Sequence, residues 1–276
     1  MMEENRCDVI EKSGLTGKDF ADASMLLMRS INSKGHDRPA DEDKESWEQM
    51  ERYCMAGAML GSEKCMANLA EIVYGLKTER ARKMEDAFGE AVKLWEQAME
   101  MGDGKSATNL GLLHLHKPIP GAGKFGELEY DEEKALELFK KGYEFGDMKA
   151  GRHIGLAYKE GRGTKKDAAK AFEWFSIAAQ RGDSSAKLFM ADAILTGDGT
   201  DQNVEDAIER YKALVECKGH DVTTGAFALA NIYRDGIYAE KDLEKSREYF
   251  ESVIRTATPI EKHLKEAAQA AIKEME

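Results

Sequence analysis

Apolar residues return in this chain with a helical rhythm, and the rhythm itself repeats. A large aromatic stands at Trp95, Phe139, Phe175, Tyr211 and Phe250, at intervals of 44, 36, 36 and 39 residues. Four positions before it come Ala91, Ala135, Ala171, Ala207 and Ser246, and three after it Ala98, Gly142, Ala178, Leu214 and Val253. Ring and small neighbours therefore share one helix face. Eight positions before the last four aromatics stand Asp131, Asp167, Asn203 and Asp242, residue types whose side chains accept the free amides of a helix start. The period is that of a two-helix repeat with loop insertions.

A second helix repeats in step with the first. A large apolar residue followed by a small one occurs at Leu69-Ala70, Leu110-Gly111, Ile154-Gly155, Met190-Ala191 and Leu229-Ala230. Four residues upstream sit Cys65, Ser106, Ala150, Ala186 and Gly225. Small residues on either side of a large one let two helices approach closely, which offsets the roughly 1 kcal/mol that Gly111 and Gly155 cost in mid-helix. Between units the chain turns on Gly61-Ser62, Gly102-Asp103, Gly146-Asp147 and Gly182-Asp183, with a looser Gly219-His220-Asp221. A glycine ends one hairpin there, and the following Ser or Asp starts the next. Links this short force consecutive hairpins to stack.

At these residues the chain resembles the Sel-1-like repeats, relatives of the tetratricopeptide repeats. The clearest unit runs from Ala150 to Asp183, with Ile154-Gly155, Tyr158, Gly161-Arg162-Gly163, Asp167, Lys170-Ala171, Trp174-Phe175, Ala178-Ala179 and Gly182 in the family's places. About five units fill 62–257, at 62–102, 103–146, 147–182, 183–219 and 220–257. The departures are Val73 and His114 where the family prefers an aromatic, a loop insertion in each of the first two units, and a one-residue slip near Lys218. The resemblance implies an all-α fold, a right-handed α/α superhelix of stacked helical hairpins that serves as a scaffold or adaptor for protein interaction.

The flanks read as caps. Residues 1–17 form a polar tail. Residues 18–61 read as a degenerate first hairpin, with Phe20, Met25, Leu26, Met28 and Ile31 on one helix and Trp47, Met50, Tyr53 and Met59 on the other, joined by a polar loop from Ser33 to Asp43. In 258–276, Thr258, Pro259 and Glu261 spell a capping box. Leu264, Ala268, Ala271 and Ile272 give that last helix one apolar face.

Composition narrows the partners. A net charge of −12 over 276 residues argues against a phosphate backbone, so no nucleic acid is expected. Met1 to Lys18 lacks a signal-like apolar run, and no segment reaches the roughly 18 uninterrupted apolar residues of a membrane helix. Cys7, Cys54, Cys65 and Cys217 show no paired spacing, whereas secreted members of the family typically carry a cysteine pair per repeat; a cytoplasmic home is expected. A monomer is the favoured state.

Candidate chemistry dissolves on inspection. Gly121-Ala-Gly-Lys-Phe-Gly126 matches a dinucleotide fingerprint but follows no strand, so it reads as an inserted loop. Ser184-Ser-Ala-Lys187 spells the Ser-x-x-Lys of penicillin-recognising enzymes without its companion motifs. His114 and His116 lie roughly 200° apart around a helix and cannot clasp one metal. No catalytic residue, cofactor or metal is expected. An alternative by family analogy is a β-lactam-directed hydrolase; another is a self-assembling structural module.

What remains is the face lined by the first helix of each hairpin, which is concave in tetratricopeptide stacks. Carried over from that pattern, it comprises Ala67, Asn68, Glu71 and Tyr74; Thr108, Asn109, Leu112 and Leu115; Arg152, His153, Leu156 and Lys159; Leu188, Phe189, Asp192 and Leu195; and Phe227, Ala228, Asn231 and Arg234. The expectation is that Leu112, Leu156, Leu188 and Phe227 anchor a partner segment, that Asn68, Asn109 and Asn231 grip its backbone, and that Arg152 and Lys159 line the same groove. The partner is a protein or peptide of unknown identity.

Overall fold

Side-chain oxygens set the helix starts. In the computed structural model, which describes residues 14–33, 43–115, 128–216 and 222–275, Asp131, Asp167 and Asp242 accept the backbone N–H of Lys134, Lys170 and Lys245 at 2.9, 3.0 and 3.0 Å. Asn203 does the same for Asp206 at 3.0 Å, and Asp86 for Gly89 at 2.7 Å. A cap of this kind contributes about 1 kcal/mol. The backbone N–H groups of Asp131, Asp167, Asn203 and Asp242 also donate to the carbonyls of His114, Tyr158, Ile194 and Tyr233 on the preceding helix, at 2.9 to 3.0 Å. One residue thus starts the second helix and ties it to the first.

All regular structure among the described residues is helical, and the chain divides into two compact units at Asp147 and Met148. The first unit holds α1 (Gly17–Ser33), α2 (Lys44–Met59), α3 (Glu63–Tyr74), the short α4 (Glu79–Lys83), α5 (Ala87–Glu100), α6 (Gly104–Leu115) and α7 (Glu132–Glu144). The pairs α1/α2, α3/α5 and α6/α7 form hairpins, and α2 on α3 and α5 on α6 stack them. The second unit holds α8 (Met148–Glu160), α9 (Ala168–Gln180), α10 (Ser184–Thr196), α11 (Val204–Glu216), α12 (Val222–Asp235), α13 (Leu243–Thr256), a 3-10 turn (Pro259–Glu261) and α14 (Lys262–Glu274). Here α8/α9, α10/α11 and α12/α13 pair in the same way, with α14 packed on α13 and α12.

The repeating aromatics Trp95, Phe139, Phe175, Tyr211 and Phe250 are all buried. Small residues opposite them fix the spacing within a hairpin. A Cβ built on Gly155 would fall 2.6 Å from the Phe175 ring, and one on Gly111 2.7 Å from Phe139, closer than any real carbon contact. Between hairpins, Gly182 takes φ +95°, a conformation that costs glycine little. The amide of Asp183 then returns to the Ala178 carbonyl at 3.0 Å, while its carboxylate accepts the Ala186 N–H at 2.7 Å.

Several details depart from the sequence reading. The insertion after α3, expected as a loop, contains α4, started by the buried Thr78 hydroxyl accepting from Ala81 at 3.2 Å and tied to α2 by Arg80 and Glu51 at 2.8 Å. Leu26 is 65% exposed, and Met25 and Met59 are exposed too, so the first hairpin buries mainly Ile31, Met50 and Cys54. The Thr258 N–H and hydroxyl both donate to one Glu261 carboxylate oxygen, at 3.0 and 2.8 Å. Pro259–Glu261 is nevertheless a 3-10 turn, and the α-helix begins only at Lys262. Ala268 and Ala271 of α14 bury against Phe250 and Val253. The Gly121 to Gly126 loop, positions 34–42 of the polar loop and the slip near Lys218 lie outside the described residues.

The close approach at Gly155 makes a sign test. On an open helix surface Gly→Ala stabilises by about 1 kcal/mol, whereas Gly155→Ala should destabilise by about 1–3 kcal/mol because Phe175 must move. Urea denaturation measures this, and Gly155→Ala combined with Phe175→Leu should recover part of the loss.

Candidate functional site

Most polar residues of the first-helix face are engaged within the protein. Asn68 donates to the buried Ser24 hydroxyl of α1 at 3.2 Å, and Ser24 in turn donates to the Ala21 carbonyl. Asn109 reaches Glu71 at 3.5 Å, and Lys105 holds the same carboxylate oxygen at 2.6 Å. Arg152 donates through Nε to Asp183 at 3.2 Å. Asn231 donates to the Phe227 carbonyl of its own helix at 2.8 Å. The first three contacts join one hairpin to the next, and the fourth is local to α12.

The apolar positions divide between packing and open space. Leu188 is half-buried against the cluster of Ile194, Leu195 and Tyr211. Phe227 meets Phe250 edge-on at 5.8 Å, and Leu156 is half-buried in α8. Leu112 differs. Together with Glu71, Tyr74 and Asn109 from α3 and α6, it surrounds a cavity of about 250 Å³ walled by Trp95 and Leu113. Tyr74 is 38% exposed, and its ring lies 5.3 Å from that of Trp95. The Trp95 indole N–H is buried and makes no hydrogen bond, a cost of about 1–3 kcal/mol that native cores seldom carry.

In the second unit Lys159, Phe189 and Asp192 come together at a cavity of about 200 Å³ backed by Phe172 and Phe175. The Lys159 ammonium sits 5.3 Å over the Phe189 ring, which stacks on Phe175 at 5.0 Å. The Tyr211 hydroxyl donates to Asp192 Oδ1 at 2.5 Å. Burial pushes the Asp192 carboxyl above its ordinary range, although the Tyr211 hydrogen bond and the Lys159 charge pull the other way.

The other motifs stay structural in their geometry. His114 is buried with Nδ1 2.8 Å from the Glu129 carbonyl. Ser184 is exposed in the first turn of α10, and no hydrogen bond joins it to Lys187. Among the described residues no helix is long and apolar enough to cross a membrane. The sequence missed Trp95 as a cavity wall, because its place in the repeat marks it only as core.

Residues 64–103, 120–147, 152–183, 184–209 and 224–252 match the model of the Sel1 repeat, more than half of the chain. The chain belongs to the Sel1 repeat family. Sel1 repeat proteins generally mediate protein–protein interaction and are typically non-catalytic scaffolds. A Sel1 repeat protein from Oxalobacter formigenes is 27% identical, with 77% of this chain and 79% of that one covered and a TM-score of 0.60. A protective antigen of uropathogenic Escherichia coli that displays an SLR fold shares 20% identity, 90% of this chain and 50% of its own, at a TM-score of 0.61, a likeness of fold alone. The chitin synthase regulatory factor 3 of Schizosaccharomyces pombe is 32% identical over 89 residues, 32% of this chain. That match spans only 9% of the yeast protein's length.

Asp192 carries a pH test for this Sel1 repeat protein. The unfolded carboxyl ionises at its ordinary value while the folded one holds its proton longer, so stability falls as pH rises through the interval between them. Asp192→Asn should therefore melt higher than wild type at pH 7, with the gap closing below 3.8. Tyr211→Phe should cost about 1–3 kcal/mol at pH 7, because it strips a buried carboxylate of its donor.

Proposed function

We propose that the first-helix faces of this Sel1 repeat protein bind a segment of a partner protein, making it an interaction scaffold or adaptor. The observation that carries the reading is the cavity where Glu71, Tyr74, Asn109 and Leu112 meet. It offers an apolar floor, an exposed phenol and a carboxylate on one surface. Lys159, Phe189 and Asp192 form a second, smaller contact point in the other unit. Leu156, Leu188 and Phe227 supply further apolar surface beside these points, and Asn68, Arg152 and Asn231 hold the scaffold in shape rather than the partner.

Anchors of this size contribute about 1.5–3 kcal/mol each, against an association cost of about 4–15 kcal/mol. One pocket alone holds nothing firmly; several together give an affinity on the order of micromolar. The free buried thiols Cys54 and Cys65 suit a reducing compartment such as the cytoplasm. The Schizosaccharomyces pombe relative is named a regulatory factor, and regulation through binding is the role proposed here.

Affinity purification from the native cell, with wild type and Leu112→Glu side by side, tests the proposal. Leu112→Glu should stay folded by circular dichroism and lose the partners that wild type retains, with affinity lower by about tenfold or more for a charge set in an apolar pocket. A folded Leu112→Glu that retains every partner at wild-type yield would remove the first-unit cavity from the account.

A further inference from the structure

The second unit carries a larger groove on a different face of α10. Lys187, Met190 and Ile194 of α10 form its base, between Phe172 on α9 and Leu214 on α11, and its volume is about 550 Å³. That falls within the roughly 300–1,000 Å³ range of ligand-sized sites. On α10 these base positions lie roughly 160° around the helix from Phe189 and Asp192. The groove therefore opens on another face of α10 than the first-helix cavity, with Phe172 of α9 bordering both. Met190 and Phe172 are only partly buried against the cluster below, while the Ser176 hydroxyl already donates to the Phe172 carbonyl at 2.8 Å. The groove offers apolar surface in which the Ser176 hydroxyl is already satisfied.

Its charge has one sign. Lys187 and Arg210 are the charged residues lining it, and no carboxylate does, on a chain whose net charge is −12. The Lys187 ammonium makes no ion pair or hydrogen bond among the described residues. Asp206 takes the Nε–H of Arg210 at 2.9 Å, and a guanidinium has further N–H donors to offer. Two neighbouring helices with a third beneath them make a trough in which an amphipathic helix can lie.

We propose that this groove binds an acidic amphipathic helix of a partner protein, its apolar stripe on Phe172, Met190 and Leu214 and its carboxylates at Lys187 and Arg210. The apolar floor supplies the affinity, and the two cations choose the sign of the partner. Partly exposed ion pairs are individually weak, so the expected selectivity from two of them is about tenfold. The proposal goes beyond the first-helix reading and stands or falls without it.

Two synthetic helical peptides with the same leucine stripe test it, one flanked by glutamates and the other by lysines, titrated by fluorescence anisotropy at physiological salt. The overall charge of the protein favours the lysine peptide, whereas the groove favours the glutamate peptide. Wild type should bind the glutamate peptide about tenfold more tightly. Lys187→Glu combined with Arg210→Glu should reverse that preference. Ala213→Trp, which fills the mouth of the groove from an exposed position, should weaken the glutamate peptide by about tenfold or more, and Leu112→Glu should leave it unchanged. A preference for the lysine peptide in wild type, equal binding of both, or indifference to Ala213→Trp would overturn the proposal. So would dodecanoate binding that depends on Lys187 and Arg210 while neither peptide binds, which would assign the groove to a small amphiphile instead.

Discussion

A ring pressed against a residue that has no side chain sets the distance between the two helices of a hairpin. At Gly155 and Phe175, and again at Gly111 and Phe139, there is no room for even one added carbon. Close approach brings the cap of the second helix within reach of the first, so that Asp167 can donate to Tyr158 and Asp131 to His114. Where the small residue is Ala191 or Ala230, it is fully buried, and Ser246 adds a hydrogen bond to the Ala230 carbonyl at 2.8 Å. Packing, capping and the inter-helix hydrogen bonds are therefore one arrangement seen at three scales. A repeat of this kind is stabilised by its own hairpin and its neighbours rather than by a single central core.

The same economy limits what the first-helix face can offer a partner. Polar groups near a hairpin junction are more useful to the fold than to a ligand, because each closes a gap between helices that water would otherwise fill. Asn68 and Arg152 are spent in this way. What is left open is aromatic or aliphatic with a few charges, as at Tyr74 and Leu112. Surfaces of that composition recognise shape more than sequence, and specificity then depends on how many contacts a partner meets at once.

Much of the fold was legible because its signals are local. The caps at Asp131, Asp167, Asn203 and Asp242 act within one helical turn, and the buried aromatics recur with helix spacing, so both could be read from neighbours in the chain. The five residues of α4 could not, since a single turn has no period to reveal it and its anchor, Glu51, lies in a different hairpin. The site was harder for the same reason. Glu71, Tyr74, Asn109 and Leu112 were identifiable by position, but whether Asn109 was free depended on Glu71 across a junction, a carboxylate that Lys105 of α6 also holds. Lys187 and Arg210 share a groove only because their hairpin folds them side by side, and nothing in their spacing announces it.

Amide hydrogen exchange on the free protein, resolved by residue, tests the central claim most directly. If the small-on-aromatic contacts hold each hairpin, the slowest amides will lie in the turns that contain Gly155, Phe175, Leu229 and Phe250, with faster exchange toward the exposed sides of α1 and α14. Fast exchange around Gly155 and Phe175, with protection concentrated elsewhere in the hairpin, would contradict it.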